Sequence, residues 1–129
     1  MGRTLALTAL LLASLAAGCG GKHAAPSTAC ISIFLVPHAS SAQIRGVRHR
    51  LSDLDPRIAS VRFVSKKQAL AQMRQRYPNL VRGMPYNPLP VSFHVRPRFV
   101  TDDKKVVRAF EPRPSGVHLV RYLPKRRRC

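Results

Sequence analysis

Two halves of the chain repeat each other, and that repeat restricts the fold more than any other feature. Ile31-Ser32-Ile33-Phe34-Leu35 aligns with Val91-Ser92-Phe93-His94-Val95 at an offset of 60 residues, and Ile58, Val61, Arg62, Phe63 and Val64 align with Val117, Val120, Arg121, Tyr122 and Leu123 at 59. Each half reads as strand, helix, strand. Two such units of near-equal length predict an α+β fold, a ferredoxin-like split-βαβ sheet with its two most apolar strands in the middle. Residues 65–90 fall between the halves and are predicted to form a small helical lower lobe inserted there.

Local signals place the elements. Cys30 to Val36 is nearly continuous in apolar residues, which suits a central strand covered on at least one face. Ser40 with Gln43, and Ser65 with Gln68, have capping-box spacing, so a helix is expected after each. Ile44, Val47, Leu51 and Leu54 recur at helical intervals in the first; Ala69, Leu70, Met73 and Tyr77 do so in the second, which Pro78 stops. Pro88 and Pro90 hold Asn87 and Leu89 out of the helical region, so the next strand is entered extended. In it Val91, Phe93 and Val95 face one side and Ser92, His94 and Arg96 the other. Thr101, with Asp102 and Asp103, predicts a third helix with Val106, Val107 and Phe110 inward, before Gly116 admits the last strand. The expected core is Val91, Phe93, Val95, Ile31, Ile33, Leu35, Ile44, Val47 and Leu51.

Charge and the N-terminus speak to location. With 23 Lys and Arg against 5 Asp and Glu, the net charge of +18 attracts nucleic acid, anionic lipid surfaces or anionic wall polymers. Arg3 precedes an uncharged run from Thr4 to Gly18 that is too short for a membrane helix and ends Leu15-Ala16-Ala17-Gly18-Cys19. The run resembles a bacterial lipoprotein signal, which implies cleavage after residue 18, lipid attachment at Cys19 and a site on the outer side of the cell membrane. The chain then divides into a signal peptide (1–18), a flexible tether (19–29), a folded domain (30–123) and a basic tail (124–129). Arg45, Arg48 and Arg50 with Lys125 to Arg128 form a surface for anionic headgroups or wall polymers. In the expected sheet the last strand ends near Cys30, so Cys30 and Cys129 can pair outside the cytoplasm. A mobile Lys-Arg tail would instead leave both thiols free.

Catalysis finds little support. Asp53 and Asp55 are neighbours, but before Pro56 they read as a helix end and solvated charge. No two histidines have the i, i+4 spacing of a helical metal site, and no phosphate-cradling glycine loop occurs. No catalytic residue, metal or cofactor is therefore assigned. The fold class is shared with RNA-recognition modules, but Val91-Ser92-Phe93-His94 lacks the glycine-aromatic pattern that stacks bases, and an export signal removes the chain from nucleic acid.

Val61-Arg62-Phe63-Val64-Ser65-Lys66-Lys67-Gln68-Ala69-Leu70, followed by Asn87-Pro88-Leu89-Pro90-Val91-Ser92-Phe93, resembles the extracytoplasmic domain of the permease-like cell-division protein FtsX, although Lys67 stands where that motif usually has an acid. The resemblance runs from about Cys30 to Tyr122. It implies an upper α+β lobe and a lower helical lobe that docks a peptidoglycan hydrolase or its adaptor outside the membrane. Leu70, Met73, Tyr77, Leu80, Met84 and Tyr86 are a large apolar set for so short a lobe, and some of them must be exposed. They are the expected partner-binding residues, the alternative being that they hold the lobe to itself and to the sheet.

Overall fold

A computed structural model describes residues 23–126 and 128–129. Four strands, β1 (Cys30–Leu35), β2 (Ile58–Val64), β3 (Ser92–Pro97) and β4 (Val117–Leu123), form one sheet in the order β2-β3-β1-β4. Every pairing is antiparallel. This is the ferredoxin-like split-βαβ arrangement that the repeat implies, with the repeated apolar strands β1 and β3 side by side in the centre.

Strand alternation separates the two faces. Ile31, Ile33, Leu35, Phe93 and Val95 point to one side, where helix α1 (Ser41–Asp53) supplies Val47 and Leu51. Helix α4 (Val100–Arg108) supplies Val106, and Phe110 follows it into the same core. The expected core members Ile44 and Val91 pack at its edge and are only partly buried, whereas Ile58, Val106, Phe110 and Val117 join it.

Both capping boxes form. Ser40 Oγ accepts from Gln43 N at 3.2 Å while Gln43 Oε1 accepts from Ser40 N, and Ser65 with Gln68 repeats the pair at the start of α2 (Lys66–Arg76). Beyond α1 a short 3-10 turn, Asp55–Arg57, leads into β2. Gly116 turns the chain into β4 with φ +85°, and a Cβ there would meet Gln43 Cβ at 2.7 Å, so glycine is required twice over.

Helix α2 ends at Arg76, ahead of Pro78 as expected, and Pro78 then occupies the first turn of a separate short helix α3 (Pro78–Val81), where its missing N–H costs nothing. Two expectations about α4 are corrected. Thr101 does not cap α4: Phe99 does, its N–H donating to Asp102 Oδ2 at 3.2 Å. Asp103 is buried and accepts from Ser27 Oγ at 2.6 Å and from Tyr122 Oη at 3.0 Å, so it serves tertiary packing rather than the helix dipole alone.

Both flanks of the folded unit are held down. Of the segment read as a flexible tether, Ser27 and Ala29 are buried, Pro26 bridges to Phe99, and Val100 N donates to Ala25 O at 3.0 Å. The tail read as mobile returns across the sheet: Arg126 N donates to Thr28 O at 3.0 Å, and Cys129 is disulfide-bonded to Cys30, with the two Cα atoms 5.3 Å apart. Free thiols at these two positions are thus not found. Residues 1–22, including the expected signal peptide and the lipid-attachment residue Cys19, lie outside the described residues. Among the described residues no helix is long and apolar enough to cross a membrane.

Candidate functional site

The lower lobe consists of α2, α3 and the return through Asn87 to Pro90. It hangs from one end of the sheet because β2 ends at Val64 opposite Ser92, where β3 begins. Asn87 closes its neck. The side-chain Nδ2 donates to Lys66 O at 2.8 Å and Oδ1 accepts from Leu89 N at 3.0 Å, so one residue ties the exit of the lobe to its entrance.

The lobe has almost no interior. None of the 11 residues of α2 is buried, and α3 buries only Val81. Of the residues expected to bind a partner, Tyr77 is 55% exposed, Leu80 65%, Met84 43% and Tyr86 72%, while Leu70 and Met73 are half-buried. These four supply nearly half of the nine large apolar side chains exposed among the described residues, on a segment of ten residues from 77 to 86. A monomeric surface more often scatters such residues singly, whereas here they are concentrated on one segment. Methionine adapts its shape and tyrosine joins apolar area to a polar tip, which suits contact with another protein.

The face of the sheet opposite the helices carries Ser92 and His94, as the alternation of β3 implies, and the strand register adds Ser32 of β1 to them. Ser32 Oγ lies 2.9 Å from His94 Nδ1, and Ser92 Oγ lies 3.2 Å from His94 Nε2, so both ring nitrogens are engaged. Phe34 meets the same ring edge-on at 6.2 Å. Burial, then the guanidinium charges of Arg62 and Arg126, lower the His94 pKa from 6.5 to about 4. At neutral pH the imidazole is uncharged, which suits a hydroxyl at each nitrogen. Ser32 and Ser92 are buried, and no carboxylate is bonded to the histidine, so the arrangement lacks the third member of a nucleophilic triad.

The histidine makes stability depend on pH. In the unfolded chain it titrates near 6.5 and in the native domain near 4, so between those values the unfolded state takes up a proton that the folded state refuses. This contribution is complete above pH 6.5 and is lost progressively as pH falls from there through about 4. The ring is partly exposed, and solvent screening limits the loss to about 1–2 kcal/mol. Urea denaturation at about pH 7.5 and about pH 4.5 should show a loss of this order, and His94→Gln should remove most of it; an unchanged slope would assign the effect to other groups.

Some basic residues expected to face a partner serve the fold. The Arg48 guanidinium stacks 4.9 Å from the Phe63 ring centroid, and Arg50 Nη1 donates to Ala109 O at 2.6 Å. Arg45 remains on the exposed surface of α1. Asp53 pairs with His49 at 3.3 Å on the exposed end of α1, as solvated charge. Among the described residues no group of three His, Cys, Asp or Glu side chains is placed to hold a metal.

The chain is an α+β scaffold with an apolar patch on a pendant lobe and a cationic sheet face. The family model for the FtsX extracellular domain matches residues 28–125, and the chain belongs to that family, whose domain is a non-catalytic part of a cell-division permease-like protein. No curated protein matches the chain.

Proposed function

We propose that this chain is a non-catalytic extracytoplasmic cell-division domain that binds and regulates a peptidoglycan hydrolase or its adaptor through the lower lobe. The observation that carries the reading is the lobe itself: a helix with no buried residue, beside Tyr77, Leu80, Met84 and Tyr86 in solvent. A lobe built this way gains little stability from those side chains where they stand. Their apolar area, worth about 25 cal/mol per Å², is available to a partner. An amphipathic helix laid across α2 and α3 is the kind of partner that such apolar side chains suit. Lipidation at Cys19 would hold the domain at the outer membrane surface, provided two or more acyl chains anchor it.

Replacing Met73, Tyr77 and Met84 together with glutamine should reduce capture of a cognate wall hydrolase or adaptor by about tenfold or more, because truncated anchors typically cost over 1 kcal/mol each. The thermal transition should remain within a few degrees of the parent. If the triple variant unfolds, these residues are core; if capture persists, the partner docks elsewhere.

Retention on anionic lipid or wall polymer without hydrolase regulation is the second reading, favoured by the net charge of +18. Each near-surface charge contributes about 1 kcal/mol at most, and Arg48 and Arg50 are already committed to internal contacts. Such binding must weaken with added salt.

A further inference from the structure

Arg62, His94, Ser32 and Arg121 are cross-strand neighbours on β2, β3, β1 and β4, so a single row spans the open face of the sheet. The tail returns over this row. Cys129 is fastened to Cys30, and its carbonyl accepts from Arg62 Nε at 3.0 Å and Nη2 at 2.8 Å. On the other side, the end of α2 brings Arg76 over the same space. Sheet, tail and helix line an open cavity of about 630 Å³.

Its lining includes Arg62, Arg76, Arg121, Arg126 and Arg128 and no Asp or Glu side chain, the Arg62 fork being held by the Cys129 main-chain oxygen. The five acids of the chain are all elsewhere: Asp53 and Asp55 at the end of α1, and Asp102, Asp103 and Glu111 in and after α4. The guanidinium groups on this cavity repel one another with no Asp or Glu side chain among them, so an anion entering it is favoured, by an amount that screening at their exposed positions reduces. The guanidinium fork matches the spacing of phosphate oxygens, and convergence of several forks on one volume calls for a ligand of high local charge. A phosphate monoester carries about −1.5 to −2 and three acceptor oxygens, whereas a carboxylate carries one charge. Phe34, Leu89 and Pro90 add an apolar wall beside the arginines, and the Ser32 and Ser92 hydroxyls lie at the base.

We propose that this cavity is a binding site for a phosphate monoester, the phosphate held among Arg62, Arg76, Arg121, Arg126 and Arg128 and the esterified group set against Phe34, Leu89 and Pro90. The site differs from the general basic surface of α1, and it is independent of the docking reading for the lower lobe. The tail is part of it. The disulfide at Cys129 keeps Arg126 and Arg128 over the cavity, so the site is complete only when Cys30 and Cys129 are joined.

Calorimetric titration of the full chain with glycerol phosphate and with pyrophosphate, at matched ionic strength, tests this. Binding should saturate at one ligand per chain. Arg76→Gln with Arg121→Gln, neither of which holds another part of the chain by a hydrogen bond among the described residues, should weaken it at least about tenfold, in line with two lost charge-assisted bonds. Arg45→Gln with Lys104→Gln removes equal charge from α1 and α4 and should change affinity less than about twofold, because exposed distant charges are screened. Cys129→Ser should weaken binding without abolishing it. Vesicles containing phosphatidic acid, a lipid phosphate monoester, against phosphatidylcholine blanks, separate the sources: capture by vesicles alone identifies a lipid headgroup, and saturable binding of the soluble ester identifies a free phosphate monoester. Equal loss in the two double variants, absence of saturable binding with every probe, or tighter binding of an oligoglutamate peptide than of pyrophosphate would each overturn the proposal.

Discussion

Phe93→Ala is expected to lower the stability of the domain by about 3 to 5 kcal/mol. The ring is 1% exposed in the centre of β3 and touches both layers of the structure. It packs 5.0 Å from the Phe63 ring on the neighbouring strand, and the Arg48 guanidinium of α1 lies 5.7 Å from its centroid. Truncation removes the ring, leaves a void between the sheet and α1, and takes away part of the surface on which Arg48 rests. Urea denaturation near neutral pH would read the loss, and a change below about 1 kcal/mol would show that the core closes around the gap, contrary to its dense packing.

Loss of the Cys30–Cys129 bond should have an effect of similar size. The bond closes a loop of 99 residues, and on the chain-entropy account a loop of that length contributes about 4.7 kcal/mol, with measured values for native disulfides of about 2 to 5. Cys129→Ser should therefore lower stability by about 2 to 5 kcal/mol in denaturant titrations. It should also release the contacts that the tail makes with Thr28 and Arg62. Mass analysis of alkylated, unreduced protein should find neither Cys30 nor Cys129 labelled. Labelling of both, or a variant as stable as the parent, would mean that the tail does not brace the sheet.

Local and periodic features were legible in the chain; features that depend on strand register were not. The Ser40–Gln43 and Ser65–Gln68 boxes are i, i+3 interactions, so residue type and spacing suffice to find them. The repeat exposed the two central strands because both had to be apolar on the face that the helices cover. By contrast, Ser32 and His94 are 62 residues apart and meet only through the β1–β3 register, so neither residue alone signals the polar row. Ala25 to Ala29 read as tether because small residues suggest flexibility, yet small residues are also what lets the strand lie close against α4, with Ala29 wholly buried. The tail misled in the same manner: a run of charges suggests solvation, and the cysteine beyond it decides where the run is held. In the lower lobe, the count of apolar residues against the size of the lobe indicated that some are exposed. Which ones are exposed depended on α3, a single turn too short to show a periodicity in the sequence.

The strand order also determines how the domain carries a mechanical load. The segment before Cys30 joins β1 at one end of the sheet, and the lower lobe leaves β2 and enters β3 at the other, where Phe34 lies opposite Ser92. A pull between that segment and a partner seated on the lobe therefore slides β1 and β3 past each other along their length. The bonds from Ile31↔Val95 to Phe34↔Ser92 are strained together rather than opened one after another from an end. A domain held in this way transmits tension through its two most apolar strands as a rigid link, and the weaker joint in the line is the neck of the lobe at Asn87.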